Sequence, residues 1–379
     1  MKRSFNIVRC AAAGFGLLLL TGCFESPPME TVQRGYRGTG MEQVINPDLL
    51  AEKVAANLPP ETQPVMPLPG PKSSELYKNV QVLGDTSAGE LAGLMVAMTE
   101  WVSPEQGCNY CHVADMASDE LYTKRVARTM ISMTQNINQS WGKHVQPAGV
   151  TCYTCHRGNN IPEYVWAEDP GPKHAARITD PGQNTVSLTA AYSSLPYDPL
   201  TTFLQDDAEI RMASATALPT GNRQSIKQTE WTYSLMMHFS ESLGVGCVHC
   251  HNSRAFASWS ESPPTRVTAW HGIRMVRDIN NSYISPINDD MPANRKGPLG
   301  DALKANCKTC HQGAYKPFYG APQIENFPSL GYTHSAVVMP SEMESDESDS
   351  EPMNTSDEED VTEASLTTEN DSSRVMVAG

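Results

Sequence analysis

The chain has 379 residues, 39% of them hydrophobic, and a formal net charge of −15. That length allows one large domain or two ordinary ones, and the modest apolar share suggests a core that is partly not protein. No basic patch points to nucleic acid, and the acidity is concentrated: residues 341–379 hold thirteen acidic residues against Arg374 alone, the first 22 residues contribute +3, and −6 remains for residues 23–340.

The first predicted element is an address. "MKRSFNIVRCAAAGFGLLLLTGC" has three basic residues and then an apolar stretch from Cys10 to Leu20, the layout of an export signal. The run is too short to cross a bilayer, which takes about 20 apolar residues. Its ending, "LLTGC", resembles a bacterial lipobox, which implies a signal peptide over 1–22 and lipid on Cys23. Acyl chains, at about 0.8 kcal/mol per buried methylene, would tether an exported domain to the membrane. Residues 23–84, with "NLPPETQPVMPLPGPK", read as a lipidated, extended N-terminal segment.

Helices are predicted next. "SAGELAGLMVAMTEWVSPEQGC" opens with Ser87 and Glu90 at capping-box spacing and stops at Pro104. Leu91, Met95, Met98 and Val102 fall on one helical stripe of it. A second helix places Tyr122, Val126, Met130, Met133 and Ile137 on one stripe. After a turn-rich connector over 161–224 ("EDPGPKH", "SLPYDPL"), a third helix has Ser225 and Gln228 as a cap and Gly244 as a stop. On it Met236 shares a face with Thr232, Phe239 and Leu243. Few stretches alternate as strands do, so the fold class expected is mainly α with extensive irregular structure. Its organisation is a first module over 85–160, a second over 225–315 repeating the first, a C-terminal segment over 316–340, and an acidic tail over 341–379. The tail's composition predicts disorder, either as a solubilising extension or as an attractor for a basic partner.

Four pentapeptides carry the chemistry: "CNYCH" (Cys108, Cys111, His112), "CYTCH" (Cys152, Cys155, His156), "CVHCH" (Cys247, Cys250, His251) and "CKTCH" (Cys307, Cys310, His311). Zinc would need these pairs combined into tetrahedral sets, and CxxC pairs 44 or 60 residues apart are poorly spaced for that. A thioredoxin-like motif would occur once and needs no histidine after it. Two thiols that add to the vinyl groups of one haem, with the next histidine on the iron, account for every residue of the pattern. The reading is a multihaem cytochrome c with four covalently bound haem c groups. It uses every cysteine except Cys10 and Cys23, leaving no pair for a structural disulfide.

A second axial ligand sets each potential. A methionine on a helical face is more often core filler than ligand, and spacing does not choose Met95 over Met98, Met130 over Met133, or Met236 over Met237. The four motifs, the lipobox and stretches such as "LMVAMTEWVSPEQGCNYCH", "GVTCYTCHRG" and "WHGIRMVRDIN" resemble the tetrahaem cytochrome subunit of purple-bacterial photosynthetic reaction centres over roughly residues 70–320. The resemblance implies two pseudo-repeated dihaem halves, with three haems ligated by His and Met and one by two His. Carried over, the distal ligands are Met95, Met130 and Met236 for the first three haems and His144 for the fourth, with Met275 the rival there. It places Arg266 and Arg274 near haems, where an arginine raises the potential or pairs with a propionate. His174, His238, His249, His271 and His334 remain solvent or packing residues.

The function this implies is electron transfer, not enzymatic turnover. A lipid-anchored subunit at the periplasmic face of the photosynthetic membrane would take electrons from a soluble c-type cytochrome or a high-potential iron–sulfur protein. It would then re-reduce the bacteriochlorophyll special pair of the reaction centre. The alternatives are a respiratory tetrahaem carrier feeding a periplasmic reductase, and a multihaem enzyme, which would need an iron with an open position.

Overall fold

Short polar residues, Asn46, Ser87, Ser225 and Asn306, start four of the helices by capping their first turns. A computed structural model describes residues 28–33, 42–61, 69–169, 186, 190 and 195–331, all within one compact unit. The signal 1–22, Cys23, His174, His334 and the tail 341–379 lie outside them. Strand β1 (Glu30–Gln33) pairs antiparallel with β2 (Glu42–Ile45), with Glu30 opposite Ile45. Asn46 then caps α1 (Pro47–Ala56): its side-chain oxygen accepts from the Asp48 and Leu49 amides at 3.0 and 3.4 Å. Pro47 presets the first turn. A strand pair and a helix thus interrupt the expected extended segment, because an Asn-Pro-Asp start signal acts locally whatever prolines surround it.

Helix α2 (Ala88–Val102) begins where expected, with Ser87 Oγ accepting from Glu90 N at 3.1 Å. Next come α3 (Tyr122–Ser140), the short α4 (Gly142–Val145) and α5 (Cys152–His156). In α6 (Ile226–Leu243), Ser225 Oγ accepts from Gln228 N at 3.3 Å, and Gly244, at φ +65°, ends the helix. Helices α7 (Thr265–Asp278) and α8 (Cys307–His311) follow, and a single helical turn, Ser73–Leu76, lies between α1 and α2. Beside these, the β1–β2 pair is the only sheet among the described residues, so the fold is mainly α with much irregular chain. No helix among them is long and apolar enough to cross a membrane.

Two apolar clusters hold the helices. One joins Leu94, Ala97 and Trp101 of α2 to Ile131 of α3 and to Phe327 and Leu330 near the C-terminal end of the described chain. The Phe327 ring meets Trp101 edge-on at 4.6 Å. Asn138 and Gln135 of α3 donate to the Leu330 and Ser329 carbonyls, each at 2.9 Å, so these buried amides are paired as burial requires. The other cluster joins Ile137, Leu235, Met275 and Val276 to Leu200, Phe203 and Leu204. The stretch expected as a connector therefore supplies core residues, through a helical turn at Thr201–Gln205.

Asp119 links the loop before α3 to that helix. Its carboxylate accepts from Arg128 at 2.7 Å and Asn79 at 2.9 Å and lies 3.4 Å from Lys124 Nζ. The Arg128 hydrogen bond, then that of Asn79, holds its pKa far below the ordinary 3.8. A depressed carboxyl pKa stabilises the fold above its unfolded value and loses that contribution as pH falls below about 4. Asp119→Asn is expected to cost about 1 kcal/mol at neutral pH, kept small by solvent screening. In thermal melts the gap to the unsubstituted protein should narrow in acid. A gap that stays constant across the acid range would contradict this.

Candidate cofactor-binding site

The four CxxCH segments adopt two local forms. The second and fourth are the single-turn helices α5 and α8. Thr154 Oγ accepts from Thr151 N at 3.0 Å, and Thr309 Oγ accepts from Asn306 N at 2.9 Å. Each ends on a left-handed residue, Arg157 (φ 49°) or Gln312 (φ 48°), followed by Gly158 (φ 83°) or Gly313 (φ 85°). The glycine amides donate to the last turn of a long helix: Gly158 N to Trp101 O on α2, and Gly313 N to Ser242 O on α6, both at 2.8 Å. The first and third segments are tighter turns, Gly107–Tyr110 and Cys247–His249. Each is pinned by a threonine in the first turn of the next helix: Thr123 Oγ donates to Tyr110 O, and Thr265 Oγ to His249 O. A helical turn puts positions i, i+3 and i+4 on one side, so both sulfurs and the imidazole of a motif face the same way.

They face a cavity of about 2410 Å³. A single ligand site occupies about 300–1,000 Å³, so this is space for several groups, and a quarter of it, about 600 Å³, suits one. All eight motif cysteines, the four motif histidines, and Met95, Met130, Met236 and His144 line it. The three predicted stripes do too: Leu91, Met98 and Val102 on α2, Tyr122, Val126, Met133 and Ile137 on α3, and Thr232, Phe239 and Leu243 on α6. Met236 lines the cavity and Met237 does not; Met98, Met133 and Met275 line it beside their rivals. Thr99 and Thr134, each one turn on, donate to the Met95 and Met130 carbonyls at 2.8 and 2.9 Å.

The histidine tautomers fit metal ligation. Nδ1 of His156, His251, His311 and His144 pairs with the backbone carbonyls of Asn159, Phe256, Ala314 and Thr268, at 2.9, 3.0, 2.9 and 2.9 Å. A ring that donates through Nδ1–H keeps the Nε2 lone pair for a metal, the usual support of a ligating histidine. His112 departs from this in geometry: its Nδ1 faces the Met116 carbonyl without a well-aligned hydrogen bond, and that carbonyl also accepts from Lys124 Nζ at 2.8 Å. Burial lowers the pKa of all five; that of His311 falls to about 4, through burial and then the His144 ring. Ligation needs the neutral imidazole. The His144 and His311 ring centres lie 6.0 Å apart, room for one ion bonded at about 2 Å to a nitrogen of each.

Burial pushes the Cys152 and Cys307 thiols up to about 12; Cys108 and Cys247 are exposed. Cys155 and Cys310 lie side by side, because α5 and α8 pack together and set the two Cα atoms 4.5 Å apart. Arg266 and Arg274 line the cavity, stacked over Trp259 and Trp270 at 4.0 and 4.7 Å, and neither is in an ion pair among the described residues. His238 is buried, 3.3 Å from Ser242 Oγ, and His271 packs edge-on against Trp270. His249 is buried and lines the cavity beside Tyr315. Thr123 and Thr265 were not evident from the sequence. Their signal is a threonine opening the helix after a CxxCH, visible once the first and third motifs are aligned.

The family described as "Photosynthetic reaction centre cytochrome C subunit" matches residues 25–331. A photosynthetic reaction center cytochrome c subunit from Thermochromatium tepidum is 54% identical over 314 residues, 83% of this chain and 78% of that protein. Its counterpart from Rubrivivax gelatinosus is 50% identical over 333 residues, 87% and 91% of the two chains. That of Roseobacter denitrificans is 38% identical over 345 residues, 86% and 92%. These relatives favour the reaction-centre reading over the respiratory carrier, and a cytochrome c of this kind carries covalently bound haem c and works at the photosynthetic membrane. With the match running through all four cysteine motifs and the helices that face them, this chain belongs to the photosynthetic reaction centre cytochrome c subunit family.

Proposed function

We propose that the subunit holds four haem c groups and relays electrons from a soluble periplasmic donor to the photo-oxidised special pair of the reaction centre. The observation that carries this is the convergence of all sixteen predicted attachment and axial residues on one cavity. Haem c, when bound, supplies one-electron exchange at its iron. The chain does the rest. Each cysteine pair would fix one macrocycle through two thioethers, Cys155 in the second motif and Cys310 in the fourth among them. His112, His156, His251 and His311 would each hold one iron, with Met95, Met130, Met236 and His144 as the second ligands. With both ligands of every iron supplied by the chain, no position would be left for a reactant, and transfer would be outer-sphere. Methionine raises a haem potential, which makes the site between His144 and His311 one of the lower ones.

The same reading makes the molecule two pseudo-repeated dihaem halves. It is supported by the matched anchors: Gly158 on Trp101 and Gly313 on Ser242, Thr123 on Tyr110 and Thr265 on His249. Lipid on Cys23 would hold the subunit at the periplasmic face, against the membrane subunits of the reaction centre. The donor would be a small c-type cytochrome or a high-potential iron–sulfur protein.

Flash spectroscopy on membranes tests this, with mass spectrometry of the isolated subunit. Haem oxidation should follow the flash, and the mass should include four macrocycles, with thioether-modified peptides at Cys155 and Cys310. Rapid carbon monoxide binding by the native ferrous protein, or a mass short of four groups, would overturn it.

A further inference from the structure

His144 sits in the short helix α4, and its ring lies against the second half of the chain. There it meets Gly272, in the middle of α7. A methyl group built at Gly272 would come within 2.5 Å of Cε1, 2.8 Å of Nδ1 and 3.0 Å of Nε2 of that ring. Three ring atoms at such distances mean that the imidazole rests on bare helix backbone. The Thr268 carbonyl, one turn earlier, pairs with His144 Nδ1 at 2.9 Å. Thr268 and Gly272 are i and i+4 on α7, so that carbonyl takes the Gly272 amide by the helix pattern and the imidazole on its second lone pair. Glycine inside a helix costs about 1 kcal/mol against alanine, so nothing in the helix itself favours it here.

We propose that Gly272 is a positioning residue for the fourth iron site, the seat that fixes the plane of the His144 ring opposite His311. This rests on the reading of His144 as an axial ligand. The contact sets one ring orientation by sterics, and the Thr268 carbonyl sets the tautomer. A side chain at 272 would push the imidazole off the seat, changing the angle between the two rings or withdrawing one of them. The ferric low-spin signal of a bis-imidazole site depends on that angle, and its potential depends on both ligands staying bound.

The experiment compares Gly272→Ala with His144→Ala and with Gly272→Ala in a His144→Gly background, each as the intact haem-loaded protein. Electron paramagnetic resonance and redox titration should show one altered low-spin signal in Gly272→Ala. Its potential should rise by a tenfold shift in the reduction equilibrium or more, about 59 mV, with the other sites unchanged. In the His144→Gly background the ring is gone and the methyl fills its space. There Gly272→Ala should cost little thermal stability, and added imidazole should restore the bis-imidazole signal less well than in His144→Gly alone. If His144→Ala removes the bis-imidazole signal and Gly272→Ala leaves signal and potential untouched, the seat is wrong and the ligand reading stands. If His144→Ala also leaves the signal intact, the ligand reading itself fails. Equal destabilisation by the methyl with and without the His144 ring would assign the glycine to some other packing need and overturn the proposal.

Discussion

Replacing His144 by methionine is expected to raise one haem potential by on the order of 100 mV, a small part of the roughly 0.8 V that axial ligands span. The other sites should hold their values. The thioether is a poorer donor to ferric iron than imidazole and so favours the reduced form. His144 and His311 stand 6.0 Å apart across the cavity, both neutral through burial, each held through Nδ1 by a backbone carbonyl. Met275, also on the cavity wall and buried, is the residue to test against it. Met275→Leu should cost less than about 1.5 kcal/mol, as a swap that conserves volume, and leave the titration unchanged. A titration in which Met275→Leu moves one potential and His144→Met moves none would reverse the assignment.

Gly244→Ala is expected to be strongly destabilising. The residue ends α6 at φ +65°, and a methyl there would lie 2.1 Å from the Gly313 carbonyl oxygen and 3.0 Å from its carbon. Those atoms are backbone, part of the loop that closes the fourth motif, and Gly313 N is bonded to Ser242 O at 2.8 Å in the same joint. Left-handed backbone costs a non-glycine residue about 1–2 kcal/mol, and overpacking costs about 1–3 kcal/mol more. A loss of about 2–5 kcal/mol follows from the two together. Gly221 is the control, with φ +80° and nothing within 4 Å of an added methyl. Gly221→Ala should show the backbone cost alone. Equal losses in denaturant unfolding of the two variants would mean that the contact with Gly313 carries no weight.

Both outcomes depend on contacts between segments far apart in the chain, and such contacts separate what was legible from what was not. The haem motifs, the caps at Ser87 and Ser225, the stop at Gly244 and the three cavity-facing stripes were readable in advance, because each is a local pattern within a few helical turns. The N-terminal strand pair and α1 were missed, because prolines and glycines dominate the composition there while the Asn46 cap is a single-residue signal.

The sequence by itself determined the chemistry: which thiols and imidazoles are available, at what spacing, and on which helical face the methionines stand. Only the tertiary structure decided that Leu200, Phe203 and Leu204 of a turn-rich stretch are core, and that the chain around Phe327 and Leu330 closes over α2 and α3. It also brought Cys155 beside Cys310 and laid the His144 ring on Gly272, 128 positions away. The physical reason is that periodicity specifies which face of a helix is apolar but not what covers it. That is settled by packing many segments at once to the density of a solid, and here by a central space whose shape no single segment encodes.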